Sequence, residues 1–148
     1  MISIKIPFLF LSFLLFFNSC GIGYKTHFEK AYELDQKGDR PAAIMEYTEE
    51  LKVNPNNSKA FLERGKLKCI INKENSPEIF QDAIADCQEA IKINPNYDEA
   101  YFVIGYTNFL MGKKKSALMD FKKAVQINPN NSSALFYIKN IEKELNIR

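Results

Sequence analysis

One short string recurs along the chain and sets the length of its structural unit. Asn-Pro-Asn occurs at residues 54–56, 94–96 and 128–130, so its prolines lie 40 and then 34 residues apart. Periods of this length are typical of units made of two helices and a turn, each of which buries its apolar face only against its neighbours. The spacing therefore predicts an all-α array of stacked helical units.

Residues at fixed offsets from the prolines define the same unit. Each first helix carries a small side chain at one place, namely Ala31, Gly65 and Gly105. Small side chains let two packed helices approach closely. Gly38 and Gly112 stand where a first helix should end, because glycine adopts the left-handed conformation that other residues resist. Each proline then follows the end of a second helix, since proline cannot continue a helix.

This pattern resembles the tetratricopeptide repeat, and the resemblance divides the chain into units at residues 24–57, 58–97 and 98–131. It implies an all-α tetratricopeptide-repeat solenoid of three helix–turn–helix units, followed by a capping helix at residues 132–148. The chain departs from the family pattern in several places. Glu50 replaces an expected Ala in the first unit, and six extra residues enter the middle unit around residues 72–78. There, Ser76 and Pro77 predict a capped and earlier start for the second helix.

The amino-terminal residues differ from the rest in composition. Lys5 is the only charge in residues 1–17, and an apolar run extends from Ile6 to Phe17. A helix that spans a bilayer needs about 20 apolar residues, so this run is typical of a signal peptide. The segment around Cys20 resembles the lipobox of bacterial lipoproteins, although Phe17 and Asn18 depart from its commonest form. The resemblance implies a signal peptide at residues 1–19, cleavage before a lipidated Cys20 and a short tether at residues 20–23.

Two other interpretations of this segment stay open, namely an ordinary signal that leaves Cys20 as a free thiol and an uncleaved signal anchor. Lipidation would place the protein in the bacterial cell envelope, exported and anchored to a membrane, because two or more acyl chains hold a protein stably. The remaining cysteines, Cys69 and Cys87, are expected on inward-facing helix surfaces. A bridge between them is the alternative, since exported thiols can pair.

Composition argues against an enzyme. The chain has one His, no Trp and a net charge of only +2, so neither a catalytic cluster nor a nucleic-acid partner is indicated. His27 has no second ligand at metal-binding spacing. No phosphate-binding loop or nucleophile motif occurs, and we expect no cofactor and no metal.

The resemblance also implies where a partner binds. Tetratricopeptide arrays usually hold a peptide or partner helix on the concave surface of their first helices, which here corresponds to Phe28, Tyr32, Leu62, Lys66, Phe102, Tyr106, Phe109 and Phe136. An exposed apolar patch of this kind often marks an interaction site. The alternative is that these rings are simply core.

The family's carboxylate clamp for chaperone tails does not carry over, because the matching residues lack its cationic and amide groups: Phe28, Tyr32, Glu63, Glu99 and Val103. The sequence thus favours a non-enzymatic scaffold or adaptor that binds a protein or peptide partner in an apolar groove. The second hypothesis is a structural solenoid that self-associates without a peptide ligand. Light scattering at several concentrations distinguishes the two.

Overall fold

The computed structural model describes residues 25–146, which form seven α-helices. The signal peptide and Cys20 predicted above lie outside these residues. The helices are α1 (His27–Gln36), α2 (Arg40–Val53), α3 (Ser58–Ile71), α4 (Pro77–Ile93), α5 (Asp98–Leu110), α6 (Lys114–Ile127) and α7 (Ser132–Glu144). No strand is present within the described range, and none of its helices is long and apolar enough to cross a membrane.

Each helix packs mainly against the next one in the chain, so the molecule is a stack of helical hairpins. The all-α tetratricopeptide-repeat solenoid is therefore confirmed as the fold class. The small residues of the first helices explain the tight packing. A Cβ added to Gly65 would lie 2.9 Å from the carbonyl oxygen of Ala83, and one added to Gly105 would lie 2.9 Å from the ring of Phe121. Both distances are shorter than carbon atoms tolerate.

The turns follow the predicted chemistry. Gly38 and Gly112 have φ values of +83° and +73°, which place both in the left-handed region. The Asn residues after two of the prolines cap the next helices, because the side chains of Asn57 and Asn131 accept hydrogen bonds from the N–H groups of Ala60 and Ala134.

The extra residues of the middle unit form a loop before α4 that is held by side-chain hydrogen bonds. The side chain of Asn72 is buried, donates to the carbonyl of Ser76 and accepts from its N–H, both at 2.8 Å. Helix α4 begins at Pro77 with Ser76 as its N-cap residue, as predicted, but the Ser76 side chain makes no capping hydrogen bond. The Ser76 hydroxyl donates to the Glu78 carboxylate at 2.6 Å and accepts no hydrogen bond from the N–H groups of the first turn.

The capping helix is shorter than the sequence predicts. Helix α7 ends at Glu144, because Asn146 adopts a left-handed conformation with φ of +52°. Ala134 and Ile141 are fully buried against α6, while Leu135 and Phe136 point outward. The last helix therefore covers the core of the array and also presents apolar side chains to solvent.

Candidate partner-binding face

The first helices of the hairpins form one side of the solenoid, which we call the inner face: α1, α3, α5 and α7. Helices α3 and α5 contact one another directly, and more closely than any two of the second helices α2, α4 and α6 do. A stack is concave on the side where alternate helices approach each other. The inner face is therefore the concave one.

An aromatic cleft lies at the carboxy-terminal end of the inner face, between α5 and α7. One pocket of about 420 Å³ is lined by Phe102, Tyr106, Ser132, Ser133, Phe136 and Tyr137. A second pocket of about 510 Å³ lies beyond it, lined by Phe109, Phe136, Tyr137, Asn140, Lys143 and Glu144. Phe136 is 61% exposed and lines both pockets, so a ligand in either one would contact its ring.

Tyr137 organises this cleft, and sequence analysis missed it. Its ring stacks on Phe121 with centroids 5.0 Å apart, and four further rings surround it at 5.3 to 6.1 Å: Phe102, Tyr106, Phe109 and Phe136. Burial raises the pKa of the Tyr137 hydroxyl, and the neighbouring Tyr106 raises it further. The contacts come from three helices, so no local pattern in the sequence could have revealed them.

A separate pocket of about 680 Å³ lies at the amino-terminal end of the inner face, which we call the amino-terminal pocket. It is lined by Lys25, Thr26, Phe28, Glu29, Tyr32, Glu33 and Lys59. The Lys59 ammonium lies 5.5 Å from the centroid of Phe28, whose ring packs edge-on against Tyr47 at 5.4 Å. Tyr32 is 54% exposed. This pocket is apolar at its base and carries charges of both signs at its rim.

Between the two apolar ends lies a charged segment, which we call the waist. The Lys66 ammonium is 3.1 Å from the Glu63 carboxylate and 2.8 Å from that of Glu99, and the second contact joins α3 to α5. Burial lowers the pKa of Lys66, but the hydrogen bonds and charges of the two carboxylates outweigh it and hold the pKa above its ordinary value. Lys66 is thus a fixed cation held within an acidic pair.

Seven of the eight residues assigned to the groove keep some solvent contact, and Leu62 does not. Leu62 is fully buried among Ile84, Cys87 and Ala90, so its assignment to the groove was wrong. The waist occupies its place on the inner face. Phe102 and Tyr106 are half-buried, which means that each ring belongs partly to the core and partly to the cleft.

The described residues offer little other chemistry. Residues 25–146 contain no cluster of three metal-ligating side chains. Cys69 and Cys87 are both free and buried, so the bridge left open above does not form in this structure. Burial raises the pKa of both thiols, which keeps them protonated and poorly nucleophilic. The Nδ1 atom of His27 lies 2.6 Å from the Glu46 carboxylate, where it joins α1 to α2.

Comparison with known proteins agrees with this architecture. Residues 98–131 match the tetratricopeptide repeat family profile. The first tetratricopeptide domain of Spaghetti (RPAP3), bound to the HSP90 peptide SRMEEVD, shares 25% identity with a TM-score of 0.72, over 80% of this chain and 92% of that one. The tetratricopeptide domain of Arabidopsis OM64 shares 26% identity with a TM-score of 0.71, over 80% and 93% of the two chains.

The second tetratricopeptide domain of human RPAP3, solved with the HSP70 peptide SGPTIEEVD, shares the fold at 21% identity and a TM-score of 0.70, over 79% and 92%. No curated protein sequence matches this chain. The chain is thus a tetratricopeptide-repeat solenoid, a fold whose typical role is to mediate protein–protein interaction. Two of these similar structures hold a peptide.

Proposed function

We propose that this protein is a non-enzymatic adaptor that binds a peptide segment of a protein partner on its inner face. The observation that carries the proposal is the aromatic cleft, where Phe136 stands 61% exposed between two pockets. An exposed large ring at the centre of a concave apolar site is costly in water, and such anchors contribute much of the energy of protein recognition.

The two peptide-bound relatives support a peptide ligand, but the chemistry of this inner face differs from what an acidic tail needs. The HSP90 and HSP70 peptides in those structures both end in Glu-Glu-Val-Asp. Here Glu63 and Glu99 occupy the waist and would repel such a segment. We therefore propose a different peptide class from the one bound by those relatives.

The second hypothesis, self-association, is disfavoured at one end of the solenoid. Lys139 lies seven residues into α7, where the equivalent residues of α3 and α5 are Gly65 and Gly105. Those glycines are required because the following helix packs against their Cα atoms. A lysine at that place prevents a further helix, including one from a second copy, from packing against α7 as closely as α4 packs against α3.

We also propose that the protein is a lipoprotein of the bacterial cell envelope, anchored through an acylated Cys20. The support is the sequence pattern at residues 1–20. Incorporation of labelled fatty acid that disappears in Cys20→Ala would uphold the anchor. Fatty-acid label retained by Cys20→Ala, or absent from the wild type, would contradict it.

The adaptor hypothesis is tested by affinity capture from gently solubilised membranes with the full chain and two variants. Phe136→Asp removes the exposed anchor, and Leu135→Asp is its matched control, because Leu135 is 45% exposed on the same helix but lines neither pocket. Phe102 is unsuitable for the purpose because its ring packs against Phe121 in the core.

We expect a partner that binds the wild type and Leu135→Asp and is lost from Phe136→Asp, with unchanged helicity and melting in both variants. Identical capture by all three proteins would contradict binding at the cleft. A mass that doubles with concentration, lost in Phe136→Asp, would favour self-association through this face instead.

A further inference from the structure

The waist divides the inner face into two apolar sites and gives the surface between them an acidic character. Lys66 contacts Oε2 of Glu63 and Oε1 of Glu99, so two carboxylates surround one ammonium group. About half of the Glu99 side chain is exposed to solvent. The net charge of Lys66, Glu63 and Glu99 together is −1, and the partly exposed Glu99 carries a share of it at the surface.

The neighbouring phenol of Tyr97 responds to the same charges. Burial raises its pKa, and the Glu99 and Glu63 carboxylates raise it further, while Lys66 acts in the opposite direction. Lys59 is directed to the ring of Phe28 at the amino-terminal pocket. A cation placed at the waist would thus gain charge-assisted hydrogen bonds to carboxylates, and an anion would be repelled.

The apolar sites on either side set the length of a ligand that contacts both. Phe28 lies on α1 and Phe102 on α5, two helix positions apart on the inner face. Neighbouring helices lie about 8 to 10 Å apart, so the two sites are separated by roughly 20 Å. An extended chain covers that distance in about six residues, and its alternate side chains point to the same side.

We propose that the inner face selects an extended segment that carries an apolar side chain at each end and Lys or Arg side chains between them. The apolar ends occupy the amino-terminal pocket and the aromatic cleft, and the cationic side chains contact Glu63 and Glu99. This inference rests on the proposed function and assigns the chemical class of its ligand.

The test uses seven-residue peptides with blocked ends, Trp at the first position and Leu at the last. Lys occupies the third and fifth positions of one peptide, and Glu or Gln occupies them in the other two. The full chain contains no Trp, so the fluorescence of the peptide reports its burial without background from the protein. The protein is held in nanodiscs of zwitterionic lipid, and empty nanodiscs are titrated in parallel to subtract binding to lipid.

We expect the Lys peptide to bind about tenfold more tightly than the Glu peptide at low salt, with the Gln peptide between them. That ratio should fall at about 0.5 M salt, because ions screen exposed charges. The double variant Glu63→Gln, Glu99→Gln should reduce the ratio to about twofold or less. The matched control Glu49→Gln, Glu89→Gln removes two exposed carboxylates from second helices and should preserve the ratio.

Any other result overturns the inference, and its consequence for the adaptor function differs from case to case. Equal affinities that still depend on Phe136 would refute the charge preference and retain the groove. Preference for the Glu peptide, or no binding of any peptide, would refute the ligand class. The capture experiment with Phe136→Asp would then decide independently whether the face binds a partner at all.

Discussion

The two halves of the solenoid share one repeat frame but are held together by different interactions. In the amino-terminal half, helices α1 to α4, buried ion pairs and amide hydrogen bonds join the helices. In the carboxy-terminal half, helices α5 to α7, the helices are joined mainly by contacts between the aromatic rings around Tyr137. The difference matters for function, because the second arrangement gathers several rings into one cleft, whereas the amino-terminal pocket is lined by only two rings, Phe28 and Tyr32.

One repeat position shows the contrast directly. Asp86 and Asp120 each lie three residues after the first Ala of their second helix, Ala83 and Ala117. Asp86 is buried and accepts from Arg64 at 2.6 and 3.0 Å, with the Lys68 ammonium at 2.8 Å.

Asp120 has a much weaker setting at the same repeat position. It accepts from the neutral Asn108 amide at 2.9 Å. The same repeat position therefore carries an Asp in both halves. Of the two, only Asp86, in the amino-terminal half, forms ion pairs with neighbouring cations.

The largest expected effect is a loss of stability from a substitution in the core of the carboxy-terminal half. Phe121 is fully buried, and its ring contacts both Phe102 and Tyr137. Phe121→Ala should lower the free energy of unfolding by about 4 kcal/mol, because it leaves a large cavity beneath the cleft. Urea denaturation followed by circular dichroism measures this. The same variant should weaken peptide binding, and binding at wild-type strength would show that the cleft does not depend on its core.

A slightly smaller loss of stability is expected from a substitution in the ionic cluster of the amino-terminal half. Asp86→Asn removes the charge that holds Arg64 and Lys68, and Arg64 is largely buried. An unpaired buried cation is costly, so we expect a loss of about 3 kcal/mol in unfolding free energy. Asp82→Asn, at an exposed residue of the same helix, is the control and should change stability by less than about 0.5 kcal/mol. Equal losses in the two variants would refute the ionic account of this half.

Much of the fold could be predicted from the sequence because its determinants are local. Gly65 and Gly105 recur at a fixed offset from the Asn-Pro-Asn strings, and the steric reason for a small side chain is the same at both places. Gly38 and Gly112 are likewise required by a single φ angle. Such positions identify themselves by repetition, since every copy of the unit needs them.

The site was less predictable because equivalent positions serve different purposes. Leu62, Phe102 and Phe136 occupy the same place on α3, α5 and α7, yet the first is core, the second is half-buried and the third is exposed. Their burial depends on neighbouring helices: α4 covers Leu62, and no described helix follows α7 to cover Phe136. The position of a residue within the repeat therefore predicts which way its side chain points, but not which helices cover it.

A smaller effect on stability, which depends on pH, is expected at Glu50 in the amino-terminal half. Glu50 replaces the Ala that the repeat pattern predicts. Burial raises the pKa of Glu50, but hydrogen bonds from the Asn54 and Asn57 side chains and from the Phe28 N–H outweigh it and hold the pKa below its ordinary value. Glu50→Gln should cost about 2 kcal/mol at pH 7, since it weakens bonds to a charged acceptor.

The sign of the pH effect follows from that lowered pKa. The stabilisation by Glu50 is fully present above the pKa of the unfolded chain, about 4.3, and is lost as pH falls through the lower folded pKa. Unfolding curves of wild type and Glu50→Gln should therefore converge towards pH 3. A difference in stability that persists unchanged at that pH would show that the loss comes from packing.

The contribution of Asp120 to stability should depend on pH in the opposite direction to that of Glu50, and this is the smallest effect expected. Burial raises its pKa above the ordinary value, and the hydrogen bond from Asn108 only partly offsets this. Its charged form is therefore disfavoured in the folded state, so wild-type stability falls as pH rises from about 3.9 through the folded pKa. Asp120→Asn removes that penalty and should gain stability relative to wild type between pH 3.5 and pH 7, as measured by urea unfolding at both values. Asp86 occupies the same repeat position with cations beside it, so Asp86→Asn should lower stability at pH 7, whereas Asp120→Asn should not. Equal losses of stability in the two variants at pH 7 would mean that the repeat position, and not the ionic or aromatic surroundings, determines how these acids act.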